Sequence, residues 1–400
     1  MSVSYLQPEY FQKFQCIGGE CPLNCCDIEW NIYWYQNEVD HLNNSEISDD
    51  FRKKFAELIA PAPCEERPDR YVFKMQKGSG CPFHNPETGL CDIQREVGAD
   101  KLSATCRLYP RRFFNVRRRV DDNIILRTLS ASCPAVVKLI MHDKKASEFE
   151  MVPARDYEWI DNAGQIGFDK EEALAERPFL EYRYEIIEYY SWLFSGKTDF
   201  ITAMLTGALA ADRISRVRRS SDIPQLINVM KKDFTPSYTE GAIGNVPTMY
   251  TSKANIAKSL LSVLNNPIPV DISVFGEGDE FDPEKYHEGL EKFSSAIHNA
   301  DTALKNIAMN ILAYTFPFCE IKKFGFFGYY AYFVTCMTTI DILAAAAGYT
   351  GDSIEQDFIY STSEFVRRIA HSVSVTDFIV DYLGQINADR IDYIASFIKR

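Results

Sequence analysis

The sequence predicts an α+β chain: a small, loop-rich, cysteine-cluster domain over residues 1–150, then a mostly α-helical domain over residues 151–400. Three observations predict this. Nine of the 11 cysteines fall in the first 133 residues. Short aromatic and β-branched runs, broken by Pro and Gly, punctuate that same stretch. From about residue 179 onward, apolar residues recur at helical spacing.

In chain order, residues 31–35 and 71–76 carry strand composition, and 123–129 reads as a further strand after the Asp121-Asp122 pair. Residues 46–59 form a helical pattern that Ser45 can cap, and 93–104 form another. Pro61, Pro63, Gly78 and Gly80 mark loops, and a polar connection follows at 143–170. The helical part then predicts segments at 179–194, 199–213, 223–231, 252–264, 283–297, 301–315, 324–347, 354–371, 376–386 and 389–399. Pro236, Pro247, Pro267 and Pro269 separate these elements, and 275–278 is a loop.

Hydrophobic residues make up 46% and charged residues 25%, the balance of an ordinary globular protein. Lys and Arg number 43 against 56 Asp and Glu, a net charge of −13. That balance disfavours duplex nucleic acid as a partner, because phosphate neutralisation by basic residues supplies most of that affinity. The first residues, MSVSYLQPEYFQKF, lack the basic and apolar regions of an export signal, so a cytoplasmic location is expected. The run 324–340 holds no charge, but Asp341 interrupts its extension and Tyr and Gly dilute it. A spanning helix needs roughly 20 mostly apolar residues. A buried core helix is the favoured reading, with peripheral membrane association left open.

In a reducing compartment a dense cysteine cluster points to metal or redox chemistry rather than disulfides. The first cluster is Cys16-x4-Cys21-x3-Cys25-Cys26; the second comprises Cys81-Pro, Cys91, Cys106 and Cys133-Pro. Soft thiolates select zinc, copper(I) or iron–sulfur clusters. Structural zinc favours paired, evenly spaced knuckles. The irregular spacing here, with Cys-Pro at Cys21, Cys81 and Cys133, tilts towards iron–sulfur and leaves zinc as the alternative. Adjacent Cys25 and Cys26 cannot both ligate one iron comfortably. The bland alternative is a set of buried free thiols. Cys64, Cys319 and Cys336 read as packing residues, and His84 as a loop histidine rather than a ligand.

Six Arg occupy the 13 residues from Arg107 to Arg119. Arg107 and Arg111 are candidates to neutralise an anionic cluster or to hold a carboxylate of a cofactor. Arg117–Arg119 read equally well as a charged edge strand.

Several runs together resemble a known family. They are Phe14-x-Cys16-x4-Cys21-x3-Cys25-Cys26-x3-Trp30, Cys81-Pro82, Leu90-Cys91-x-Ile93-Gln94, Leu102-Ser103-x-Thr105-Cys106-Arg107-x-Tyr109-Pro110-Arg111 and Leu129-Ser130-x-Ser132-Cys133-Pro134. The chain resembles the bacterial flagellin lysine-N-methylases, and more loosely so from Asn310-Ile-Leu-x-Tyr314-x-Phe316-Pro317-Phe318 onward. The resemblance implies a cytoplasmic enzyme that moves a methyl group from S-adenosylmethionine to surface lysines of flagellin. It also implies a [4Fe-4S] cluster drawing on Cys16, Cys21, Cys25, Cys26, Cys81, Cys91, Cys106 and Cys133. A non-enzymatic zinc- or iron-binding interaction module is the competing reading.

No Gly-x-Gly-x-Gly turn marks a Rossmann-type cofactor domain, and no Cys-x3-Cys-x2-Cys run is present. Lysine methylation also poses a protonation problem. With a pKa of about 10.4, roughly one free lysine in a thousand is a nucleophile at neutral pH. Tyr182-Arg-Tyr184-Glu185-Ile-Ile-Glu188-Tyr189-Tyr190 crowds aromatic and acidic groups that suit an ammonium, although a core-facing aromatic stripe is the favoured reading.

Overall fold

The computed structural model describes residues 3–26, 31–65, 67–75, 80–116, 123–153, 178–263, 281–316, 325–369, 373–387 and 390–400. Trp30, Gly78, Pro267, Pro269, Pro317, Phe318, Cys319 and the stretches 117–119 and 275–278 lie outside the described residues.

The chain separates into two compact units, the smaller holding Gln15–Arg112 and the larger most of the rest. This differs from a boundary at 150/151. The reason is non-local strand pairing, which a local reading of sequence does not see. Strand β1 (Val3–Pro8) pairs in parallel with a strand some 120 residues later, Leu6 opposite Leu126. The beginning and end of the expected first domain therefore belong with the helices, and the cysteine-rich stretch is inserted between them.

In the smaller unit, β2 (Tyr33–Tyr35) leads into α1 (Gln36–Asn43) and α2 (Asp49–Leu58). Strands β3 (Ile59–Pro61) and β4 (Arg70–Phe73) complete an antiparallel sheet of order β2-β4-β3. Ser48, not Ser45, caps α2: its side chain accepts from the Phe51 amide at 3.2 Å, and Asp49 and Asp50 fill the first turn. A hairpin of two short strands, β5 (His84–Asn85) and β6 (Leu90–Cys91), runs into α3 (Asp92–Val97). The single helix expected over 93–104 is broken at Gly98, whose φ of +91° ends α3; α4 (Ala104–Leu108) restarts with Ser103 as its cap. Trp34, Phe55, Phe73 and Phe83 form the aromatic core of this unit.

The larger unit opens on a four-stranded sheet of order β7-β8-β1-β9, with β7 (Arg111–Asn115), β8 (Asn123–Leu129) and β9 (Phe149–Pro153). Pro134 starts α5 (Pro134–His142). Helices α6 (Arg183–Ser195), α7 (Phe200–Ser215), α8 (Ile223–Asp233), α9 (Pro236–Ile243), α10 (Tyr250–Val263), α11 (Pro283–Ala296), α12 (Ala300–Thr315), α13 (Gly325–Ala347), α14 (Ile354–Ile369), α15 (Val373–Gln385) and α16 (Ile391–Ile398) follow. Pro236 was expected as a separator. It instead starts α9, where its missing N–H costs nothing, and Thr235 caps the helix.

Helix α13 is long and apolar enough to cross a membrane by length and composition, and the apolar window that qualifies is fully buried within the protein. Its neighbours include α7, α11 and α14. An apolar surface on every side is what a central core helix presents. The Tyr182–Tyr190 stretch is mostly core: Tyr189 and Tyr190 are buried, and the Tyr190 ring stacks on Tyr330 with centroids 5.7 Å apart.

Candidate metal centre

The cysteine loops of the smaller unit are held against its hairpin by two glycines. A Cβ on Gly19 would stand 2.6 Å from the Thr88 carbonyl oxygen, and Gly89, at φ +65°, packs on the Gly19 backbone. Asn24 completes the fastening. Its Nδ2 lies 3.1 Å from His84 Nε2 and donates to the Gly89 carbonyl at 3.1 Å, while its Oδ1 accepts from the Cys26 amide at 2.9 Å. The Cys81 amide donates to the Cys26 carbonyl at 2.7 Å, which ties the first cluster to the second.

Five sulfur atoms share this neighbourhood. Hydrogen bonds to Cys25 and Cys81, helped by burial, hold the Cys26 thiol protonated well above the ordinary range. The same bond from Cys26 draws Cys81 down, against the effect of burial. Burial raises Cys91, and pushes Cys106 up to about 12; the charges of Cys81, Cys25 and Cys91 act on Cys106 in the same direction. Cys26, Cys81, Cys91 and Cys106 all pack on the aromatic core of the unit.

Of the other sequence candidates, Cys16 is exposed; its Sγ accepts from the Gly18 amide at 3.4 Å. Burial lowers the Arg111 guanidinium, and an electrostatic influence of Cys16 opposes that shift. Cys21 donates to the Leu23 carbonyl at 3.3 Å. Arg107 donates from Nη1 to the Asp100 carbonyl at 3.2 Å and acts on Glu38. Cys133 belongs to the larger unit, where it is buried at the residue preceding α5. Cys64 sits in a turn, partly buried, and Cys336 is buried in α13, as packing residues would be.

Among the described residues, no group of three His, Cys, Asp or Glu side chains is arranged to hold a metal ion. The sulfurs are grouped without converging on a common point. The donor chemistry itself suits a soft centre. Hydrogen bonds and burial make Cys26, and burial makes Cys91 and Cys106, resist ionising, whereas the Cys26 bond favours the Cys81 thiolate, a donor that a soft cation would pair with.

Two polar groupings also escaped the sequence reading. Glu38 is a half-buried carboxylate that accepts from the Tyr35 amide at 2.9 Å and the Ala104 amide at 2.7 Å, fixing α4 and hence Cys106. Its position three residues into α1 was the available signal. The second is a buried ionic network in the larger unit, where Lys253 Nζ lies 3.5 Å from Asp341 Oδ2 and donates to Tyr286 Oη at 2.6 Å. Asp341, the one charge within the apolar run, signalled it.

Residues 201–397, running from α7 to α16, match the family described as the FliB lysine N-methylase C-terminal domain. The chain is 26% identical over 145 residues to a lysine-N-methylase of Salmonella typhimurium strain LT2, covering 36% of this chain and 34% of that protein. The flagellar biosynthetic protein FliU of Salmonella muenchen matches at the same identity over 145 residues, 80% of its length. The chain thus spans about a third of the lysine-N-methylase it matches. No solved structure matches it. The domain match and these relatives support a likeness of this chain to the FliB lysine-N-methylase family.

Proposed function

We propose that this protein is a cytoplasmic protein-lysine N-methyltransferase that uses S-adenosylmethionine as methyl donor and flagellin as substrate. The observation that carries the reading is the family match across the helical part of the larger unit. In the reaction a neutral lysine Nζ attacks the sulfonium methyl carbon. The N–C bond forms as the S–C bond breaks, S-adenosylhomocysteine leaves, and the lysine proton passes to solvent or a base. The protein must therefore desolvate the lysine or set an acceptor beside it.

The smaller unit supplies the second part of the reading. Cys25, Cys26, Cys81, Cys91 and Cys106 are the residues to hold an iron–sulfur cluster, with zinc as the alternative centre. Cys16 and Cys21 remain candidate ligands by resemblance. A bound [4Fe-4S] cluster would supply a Lewis-acidic, electron-carrying centre. The residues described here would shield it from water with Trp34, Phe73 and Phe83 and neutralise its charge with Arg111. Arg107 is the further candidate to meet a donor carboxylate.

The test is anaerobic incubation of the protein with flagellin and methyl-labelled S-adenosylmethionine, followed by mapping of label on lysines. Label on lysine Nζ supports the reading. A colourless zinc protein that transfers no label would instead be a metal-stabilised interaction module.

A further inference from the structure

An open cleft of about 700 Å3 lies on the larger unit between α11, the turn after α13 and the start of α14. Glu288, Glu291 and Lys292 line it from α11, and Tyr349 and Ile354 face it from the other side. The aromatic and acidic groups that the sequence offered at Tyr182–Tyr190 are mostly core, whereas these face solvent.

The cleft already holds an alkylammonium, one of the chain's own. Lys292 Nζ stands 4.2 Å from the centroid of the Tyr349 ring and 2.8 Å from Glu288 Oε1. Tyr349 is oriented for this contact: its hydroxyl donates to the Lys285 carbonyl at 2.7 Å and to Glu288 Oε2 at 3.1 Å. One ring face and one carboxylate oxygen are the pairing that recognises a lysine head group. The grip on Lys292 is weak, because its side chain keeps 44% and that of Glu288 56% of their exposure. A half-exposed pair one helical turn apart opens readily, and the cleft is far larger than one ammonium requires.

We propose that this cleft is a lysine-side-chain binding site, with Tyr349 and Glu288 receiving the ammonium of a substrate lysine and Lys292 acting as a tethered stand-in that the substrate displaces. The proposal rests on the methyltransferase reading for its biological substrate, but the binding itself does not. Glu291 adds negative charge at the mouth, so the preferred partner is a lysine on a polar surface without adjacent carboxylates.

The test titrates the full chain with Nα-acetyl-lysine methylamide, followed by NMR, with no methyl donor present. Lys292→Ala removes the tethered competitor and is expected to tighten binding about tenfold. Tyr349→Ala is expected to abolish it, Tyr349→Phe to retain most of it, and Glu288→Gln to weaken it. Binding that Lys292→Ala and Tyr349→Ala leave unchanged overturns the proposal, as does the absence of binding to the Lys292→Ala protein. Methyl transfer separates the two claims. Tyr349-dependent binding without transfer to any protein sinks the methyltransferase reading alone. Undiminished transfer by Tyr349→Ala overturns the cleft as the place that receives the substrate lysine and leaves the methyltransferase reading standing.

Discussion

Arg400 Nη2 donates to Asp341 Oδ1 at 2.6 Å, placing a guanidinium against the one carboxylate of the apolar helix α13. Lys253 reaches the same carboxylate, the Tyr286 hydroxyl donates to it, and Lys253 Nζ also donates to the Lys399 carbonyl at 3.2 Å. Ions out of water are tolerated only when every partner is present. Arg400→Ala leaves the carboxylate with one cation. It is expected to destabilise the larger unit by about 3–5 kcal/mol in chemical denaturation. A variant that unfolds at the wild-type denaturant concentration would show that the pair is energetically idle.

The network also sets a pH dependence. Burial holds Lys253 down to about 8, below its ordinary 10.5, despite the attraction of Asp341. Between those values the unfolded chain binds a proton that the folded chain has released, so this group makes stability rise with pH. Burial alone would raise Asp341, but Arg400 and Lys253 hold it at about 2. Its contribution is complete above its ordinary 3.8 and is lost as pH falls through about 2. Stability measured against pH for wild type and Lys253→Met should differ in slope between about pH 8 and 10.5. Parallel curves across that window would refute the assignment.

Asn310 joins α12 to the N-terminal segment and the sheet. Its Nδ2 donates to Tyr10 Oη at 2.6 Å and to the Leu129 carbonyl at 2.8 Å, and both side chains are buried. Asn310→Ala leaves two buried acceptors without their donor, a loss of about 2–3 kcal/mol. Denaturation midpoints of the variant, with an unchanged denaturant slope, check this figure. A loss below about 0.5 kcal/mol would mean that water replaces the amide.

The sequence reading succeeded where information is local. Residues 123–129, read as a strand after the Asp121-Asp122 pair, form the observed strand β8, and capped, periodic segments such as α7, begun by Asp199, appear where expected. It failed where partners are distant. Val3–Pro8 becomes a strand only because β8 and β9 flank it. Pro236 misled because a proline before a helix and one inside its first turn look alike in sequence. The site divides in the same way. Cysteine spacing pointed to a thiolate cluster. It did not tell that Cys25, Cys26, Cys81, Cys91 and Cys106 are neighbours, or that Cys133 belongs to the larger unit.

Cys81 is the sulfur on which the proposed centre turns. It shares a hydrogen bond with Cys26, exerts its charge on Cys91 and Cys106, and is buried against the aromatic core. Cys81→Ser replaces a soft donor with a hard one and is expected to abolish iron and sulfide content in anaerobically prepared protein. Cys64→Ser, outside the group, should retain both. Gly19→Ala probes the scaffold without touching a sulfur. Its new Cβ would meet the Thr88 carbonyl, lift the Cys16–Cys26 loop from the hairpin and lower metal retention while every thiol remains. Elemental analysis and visible absorbance read all three variants. Full metal content in Cys81→Ser would remove the grouped thiols from the mechanism, whatever the activity of the protein.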